Sequence, residues 1–137
     1  MSANRPILQE VTDHLPWLFE EFGFRVIEDG FEPQIFGNSF VTLASPFLRV
    51  RLVRDRGQVA AEVAACCDPT VWWDLEHVCE LISGRSVEPG FDLLHLAVLL
   101  RNHLPELSNH LGPNYAETKC ELERLAEERK KTFKGRI

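Results

Sequence analysis

Four arginines crowd eight positions of the stretch "LRVRLVRDRGQVAAEV", residues 48–63, in a chain that also holds five histidines and four cysteines. From such residues a phosphate grip, a metal centre or a thiol nucleophile can be built. His103 and His110 are seven apart, but Pro105 lies between them and His95 falls off their line. No Cys-x-x-Cys, His-Glu-x-x-His or acidic calcium loop accompanies them, so no metal site is predicted. Cys66-Cys67 has His77 not far along the chain. Thiol catalysis also requires a base within hydrogen-bond reach and an oxyanion site, and the pattern supplies neither. "FGNS" at 36–39 has one glycine and is no phosphate loop. No catalytic residue, cofactor or metal ligand is predicted, and the chain is not expected to be an enzyme.

The cysteines Cys66, Cys67, Cys79 and Cys120 lack paired spacing and read as buried thiols of a reducing compartment. The net charge is −6, unevenly spread. Residues 1–46 carry two arginines against seven acids, and residues 59–112 two against eight. The positive charge sits at 49–56 and in the tail from Arg129 to Arg136. An acidic body argues against general nucleic-acid affinity, which comes mostly from phosphate neutralisation, and suits a basic protein partner. No apolar run approaches the ~20 residues that span a bilayer, and "MSANRPILQE" lacks a signal-peptide core. A cytoplasmic protein without membrane contact is expected.

The arginines belong to a predicted hairpin. A turn at Arg54-Asp55-Arg56-Gly57 sets Val53 across from Gln58 and Arg49 across from Glu62. Leu48, Val50 and Leu52 then share one face with Val59, Ala61 and Val63, and Arg49 and Arg51 take the solvent side. Two strands precede it, "FRVIED" (24–29) and "SFVTLAS" (39–45), with Thr42 opposite Arg49.

Ahead of the strands, Ile7, Val11, Leu15, Leu18 and Phe22 recur at helical spacing over 6–22. Pro16 predicts a break near Thr12–Asp13, and Gly23 a stop. Asp74 caps a helix with the apolar stripe Leu75, Val78, Cys79 and Ile82, ended by Gly84. "FDLLHLAVLLRNHL" (91–104), capped by Asp92, is apolar nearly all round and predicts a helix covered on several sides, kinked or ended by Pro105. A last helix, 113–133, has a narrow stripe (Tyr115, Leu122, Leu125, Phe133) that clips onto the body or meets a second copy in a homodimer. The expected fold is α+β in one domain, 1–137: an N-terminal helix, a four-stranded antiparallel meander, then three helices on one face of the sheet.

Adjacent Trp72 and Trp73 cannot both enter one core from a regular element, and tryptophan anchors interfaces. Trp73, with Glu76 and Glu80 on the polar side of the 74–83 helix, is the candidate partner-binding set.

The segments "LFEEFGFRV", "FGNSFVTLASPFLRVRLVRDRGQ" and "WWDLEHVCELI", within Leu15 to Leu81, resemble small uncharacterised bacterial proteins regarded in part as immunity proteins encoded beside secreted polymorphic toxins. "VRDRGQ" is the most specific part, and the tail from Pro113 lies outside. The resemblance implies a protein-binding inhibitor without catalytic residues and assigns no interface. The expected function is occlusion of a cognate basic toxin; the alternative is a regulatory or scaffold domain.

Overall fold

The computed structural model describes residues 6–35 and 38–135, the last four of these by backbone alone. Ile7–His14 form α1 and Trp17–Glu20 form α2. The break falls at Leu15–Pro16, not at Thr12–Asp13: Leu15 has φ −125° and ψ 45°, and Pro16 caps α2. Proline drives the residue before it out of the helical region, and its missing N–H costs nothing where a new helix starts. Gly23, at φ 68°, stops the pair as expected.

Four strands follow as a meander: β1 (Arg25–Glu32), β2 (Asn38–Ala44), β3 (Leu48–Asp55) and β4 (Gln58–Ala65). A fifth, β5 (Trp73–Asp74), pairs antiparallel with β4, giving the order β1-β2-β3-β4-β5. The expected four strands thus become five, because two residues are too few to show any periodicity. Strand β1 runs on through Gly30 to Glu32 and bulges between Val26 and Glu28. Gly30 faces Phe40, whose ring would lie 2.4 Å from a Cβ at that position. Phe40 thereby covers the glycine that would otherwise weaken an edge strand.

The β3–β4 ladder pairs Arg51 with Glu62, Arg49 with Ala64 and Asp55 with Gln58. The expected pairings of Arg49 with Glu62 and Val53 with Gln58 are therefore two residues out. Thr42 likewise meets Arg51, not Arg49. A shift of two leaves every side chain on its face, so the apolar pattern permits both registers. The turn chooses between them. Arg56 and Gly57 have φ of 54° and 83°, two successive positive values that make a two-residue connection matched to the strand twist. Asn38 ties this turn to β2: its Oδ1 accepts the Arg56 amide at 2.9 Å and its Nδ2 donates to Asp55 Oδ1 at 3.1 Å.

Leu75–Ser83 form α3, Leu93–His110 α4 and Tyr115–Gly135 α5. Asp74 caps α3 by accepting the Glu76 and His77 amides, and Gly84 ends it at φ 69°. Asp92 caps α4 through the His95 amide. Pro105 lies inside α4 and does not end it. It sits on the exposed side, as does Arg101 four residues earlier, where water can satisfy the carbonyl that proline leaves free. One contiguous core joins Ile7 and Val11 of α1, the inner faces of β2–β4, and α3, α4 and α5 as far as Leu122. Tyr115 and Leu122 are buried in it, so the first half of the α5 stripe serves the chain's own body; Leu125 is half-buried, and the side chain of Phe133 lies outside the described residues.

Candidate protein-binding surface

Among the described residues, no group of three or more His, Cys, Asp or Glu side chains is placed to hold a metal ion. Three of the five histidines are engaged locally. His95 Nε2 lies 3.0 Å from Glu88 O, His103 Nδ1 2.9 Å from Leu99 O, and His110 Nδ1 3.3 Å from Thr118 Oγ1. The cysteines do not converge on a base. Burial, then the acids Glu76, Asp74 and Glu106, push the Cys79 thiol up to about 12. Burial also raises Cys66, against the opposing pull of Arg49 and Arg25, and its Sγ donates to Ser45 O at 3.2 Å. Two of the four expected buried thiols are exposed instead, Cys67 and Cys120. Cys67 lies in the turn after β4 and Cys120 on the outer side of α5, placements that spacing alone does not reveal.

Trp72 and Trp73 are both half-buried. Trp73 pairs with Val63 in β5 and enters the core side. Its indole N–H is buried without a hydrogen-bond partner, and the neighbouring Tyr115 hydroxyl is pushed above the usual phenol range by burial and by its bond to Asp68, against a smaller opposing pull from the indole. Trp72 goes to the opposite face of the sheet, where the Arg51 guanidinium carbon sits 4.0 Å from its ring centroid. Arg51 Nη1 also lies 3.8 Å from Glu62 Oε1. The arginine face is thus a laced sheet surface, and Arg54 points the other way, into a largely buried ion pair with Glu10 of α1.

Glu76 and Glu80 are half-buried and face the segment that joins α3 to α4. Glu80 Oε1 accepts the Val87 amide at 3.0 Å, and Glu76 Oε2 accepts the Gly90 amide at 3.0 Å. An extended connection rich in Gly and Pro has no ladder to satisfy its N–H groups, and carboxylates one helical turn apart satisfy two of them. The same segment is fixed at its far end, where Phe91 O accepts the Val59 amide at 2.7 Å along the edge of β4.

That connection and α4 enclose an open groove of about 600 Å³, lined by Val87, Glu88, Asp92, Leu94, Val98 and Asn102 among others. Leu94 and Val98, 66% and 60% exposed, stand one turn apart on α4, and Phe91 at 59% lies just before it. The expectation that 93–100 is covered on several sides fails on this face. Leu93, Leu96 and Leu100 go into the core while Leu94 and Val98 stay out. A locally all-apolar run does not say which of its sides the rest of the fold will cover. The apolar row is bordered by the carboxylates of Glu88 and Asp92. Farther along α4, Arg101 is held by Glu21 at 3.1 Å and lies over the Trp17 ring.

No family model matches the chain, and neither a curated protein nor a solved structure matches it.

Proposed function

We propose that this chain is a protein-binding inhibitor of the immunity type, acting in the cytoplasm by occluding a cognate basic toxin without catalysis. The observation that carries the reading is the exposed pair Leu94 and Val98 in an acid-rimmed groove, with exposed Phe91 just before α4. Large apolar side chains gathered on one surface and rimmed by polar groups mark interaction sites. The acidic rim and the net charge of −6 favour encounter with a basic partner. Within this reading Glu76 and Glu80 position the groove wall from behind, and Trp73 anchors α3 to the sheet beneath it. The sequence resemblance to immunity proteins points the same way.

The test is co-expression with the product of the adjacent open reading frame, scored by growth. Wild-type chain is expected to restore growth, and Leu94→Ser with Val98→Ser to lose protection while keeping the wild-type unfolding midpoint. Full protection by the double variant removes α4 from the interface. A harmless neighbour that does not bind the chain overturns the immunity reading itself.

A further inference from the structure

The sheet has a free edge. Strand order places β1 outermost, with β2 as its one strand neighbour among the described residues. Of its eight residues only Gly30 is even half-buried. No backbone group of residues 25–31 bonds outside the β1–β2 ladder among the described residues. A strand in this position offers a row of unpaired N–H and C=O groups, a template for another extended segment. Proteins usually blunt such edges by keeping them short, by bulges, or by placing proline or charged residues on them. Strand β1 has no proline and is as long as β3 and β4, so its protection rests on its charges, Arg25, Glu28, Asp29 and Glu32, and on one bulge. The bulge at Ile27 interrupts it once and leaves 28–32 in regular pairing with 38–42.

The side chains say what the edge would accept. Glu28 and Glu32 share the open face of the sheet, as the pairs Glu28–Thr42 and Glu32–Asn38 require, and Asp29 and Phe31 project to the helix side. Val26, Ile27 and Phe31 are exposed although large and apolar. A second copy of this chain is a poor occupant. Antiparallel pairing of two β1 strands about Gly30 sets each Glu28 against a Glu32. Centring the pair on Glu28 or Asp29 sets that acid against its own copy. Like charges directly opposite are destabilising in a ladder. The acids therefore guard the registers centred on Glu28, Asp29 and Gly30 against self-association and leave the edge open to a strand of the opposite sign.

Building on the protein-binding reading above, we infer that the β1 edge receives an extended segment of the protein partner by strand addition, with lysine or arginine on alternate residues facing Glu28 and Glu32 and apolar residues between them. Backbone hydrogen bonds would supply affinity, and the alternating side chains specificity. This surface is separate from the α4 groove, so one partner can engage both or either.

The full chain is titrated by amide NMR with three short acetylated peptides: one alternating lysine and valine, one alternating glutamate and valine, and the lysine–valine peptide N-methylated at alternate residues. Expected are shifts at residues 25–32 with the lysine–valine peptide, affinity that falls as salt rises, and binding about tenfold weaker for the glutamate peptide. N-methylation, which removes backbone donors, is expected to abolish binding. Glu28→Lys with Glu32→Lys should reverse the charge preference, with folding checked by thermal melt, and Leu94→Ser with Val98→Ser should leave it unchanged. Absence of binding, equal binding of both charge forms, survival of binding after N-methylation, shifts confined to α4, or self-association of the chain through β1 each overturns the inference. Any of these results, alongside protection that depends on Leu94 and Val98, removes the edge and leaves the protein-binding reading intact.

Discussion

Gly90 gives its amide hydrogen to Glu76 Oε2 at 3.0 Å while its Cα faces the His95 ring, 2.2 Å from where a Cβ would stand. Glu76 of α3 and His95 of α4 thus both bear on one point of the α3–α4 connection. Removing either carboxylate leaves a half-buried amide without its acceptor, at about 1–3 kcal/mol per site. Glu76→Ala with Glu80→Ala should therefore lower the unfolding free energy by a few kcal/mol and speed hydrogen exchange at the Val87 and Gly90 amides. Reversal of both to lysine should do at least as much, unlike substitution of freely solvated acids. Denaturant unfolding with native-state exchange checks it; unchanged exchange at both amides would show that the carboxylates do not hold the segment.

Helix α4 divides its leucines sharply. Leu96 and Leu100 are 2% and 1% exposed, so Leu96→Ala or Leu100→Ala should cost about 2–5 kcal/mol through lost burial and an unfilled cavity. Leu94→Ser and Val98→Ser, on the open side, should each change stability by no more than about 0.5 kcal/mol. Urea midpoints of the four variants measure the contrast. Equal losses on both sides would mean that the outer row is covered in solution.

The β3–β4 turn places a glycine at φ 83° with open space around its Cα. Gly57→Ala meets no neighbour and suffers only from the backbone, so it should cost about 1 kcal/mol or more. Arg56, at φ 54°, tolerates its conformation less well than asparagine would. Arg56→Asn should raise the thermal midpoint slightly. A rise on Gly57→Ala would contradict the two-residue turn.

What was readable in the chain had a local cause. Asp74 and Asp92 announce their helices because a short acceptor side chain is needed where amides lack partners, and Gly23 and Gly84 end theirs for want of a Cβ. The faces of β2, β3 and β4 follow from alternation. Register does not, because a two-residue slip leaves alternation untouched, and only consecutive positive φ at Arg56 and Gly57 distinguishes Arg51–Glu62 from Arg49–Glu62. The candidate site was harder still. The exposure of Leu94 and Val98 depends on what packs around α4, and the engagement of Glu76 depends on a glycine 14 residues away. The available signal was the segment "GRSVEPGFD" itself, which cannot pair its own amides and so calls for acceptors on a neighbouring helix.

Acid should act on one identifiable cluster. Asp68 Oδ2 accepts the Tyr115 hydroxyl at 2.7 Å and lies 2.9 Å from Lys119 Nζ, tying the β4–β5 connection to the first turns of α5. The Tyr115 bond first, then Lys119, hold the Asp68 carboxyl below its usual value of 3.8. A depressed folded-state pKa contributes stability that is complete above the unfolded value and is lost as pH falls through the folded one. Wild-type stability should therefore decline as pH falls below about 5, through the unfolded and then the folded pKa, and Asp68→Asn should be less stable at neutral pH with a shallower decline on that acid limb. Parallel acid limbs for the two proteins would exclude Asp68 as a contributor.

Thiol chemistry reports the fold without any partner. Cys67 and Cys120 are exposed, Cys66 is half-buried, and Cys79 is fully buried in the core. Reactivity follows the thiolate, which requires both access and a pKa near the ambient value. Burial pushes Cys79 up to about 12 and Cys66 upward in the same direction. At neutral pH the native chain should give two fast equivalents with an aromatic disulfide reagent, one slower equivalent from Cys66, and a fourth only on unfolding. Cys67→Ser with Cys120→Ser should remove the fast phase entirely. Arg49→Gln takes away a guanidinium that favours the Cys66 thiolate, so the slow phase should slow further while the fast one is unchanged. If all four thiols react together in the native protein, α3 is not packed against the sheet as described, because Cys79 reaches solvent only when that helix leaves.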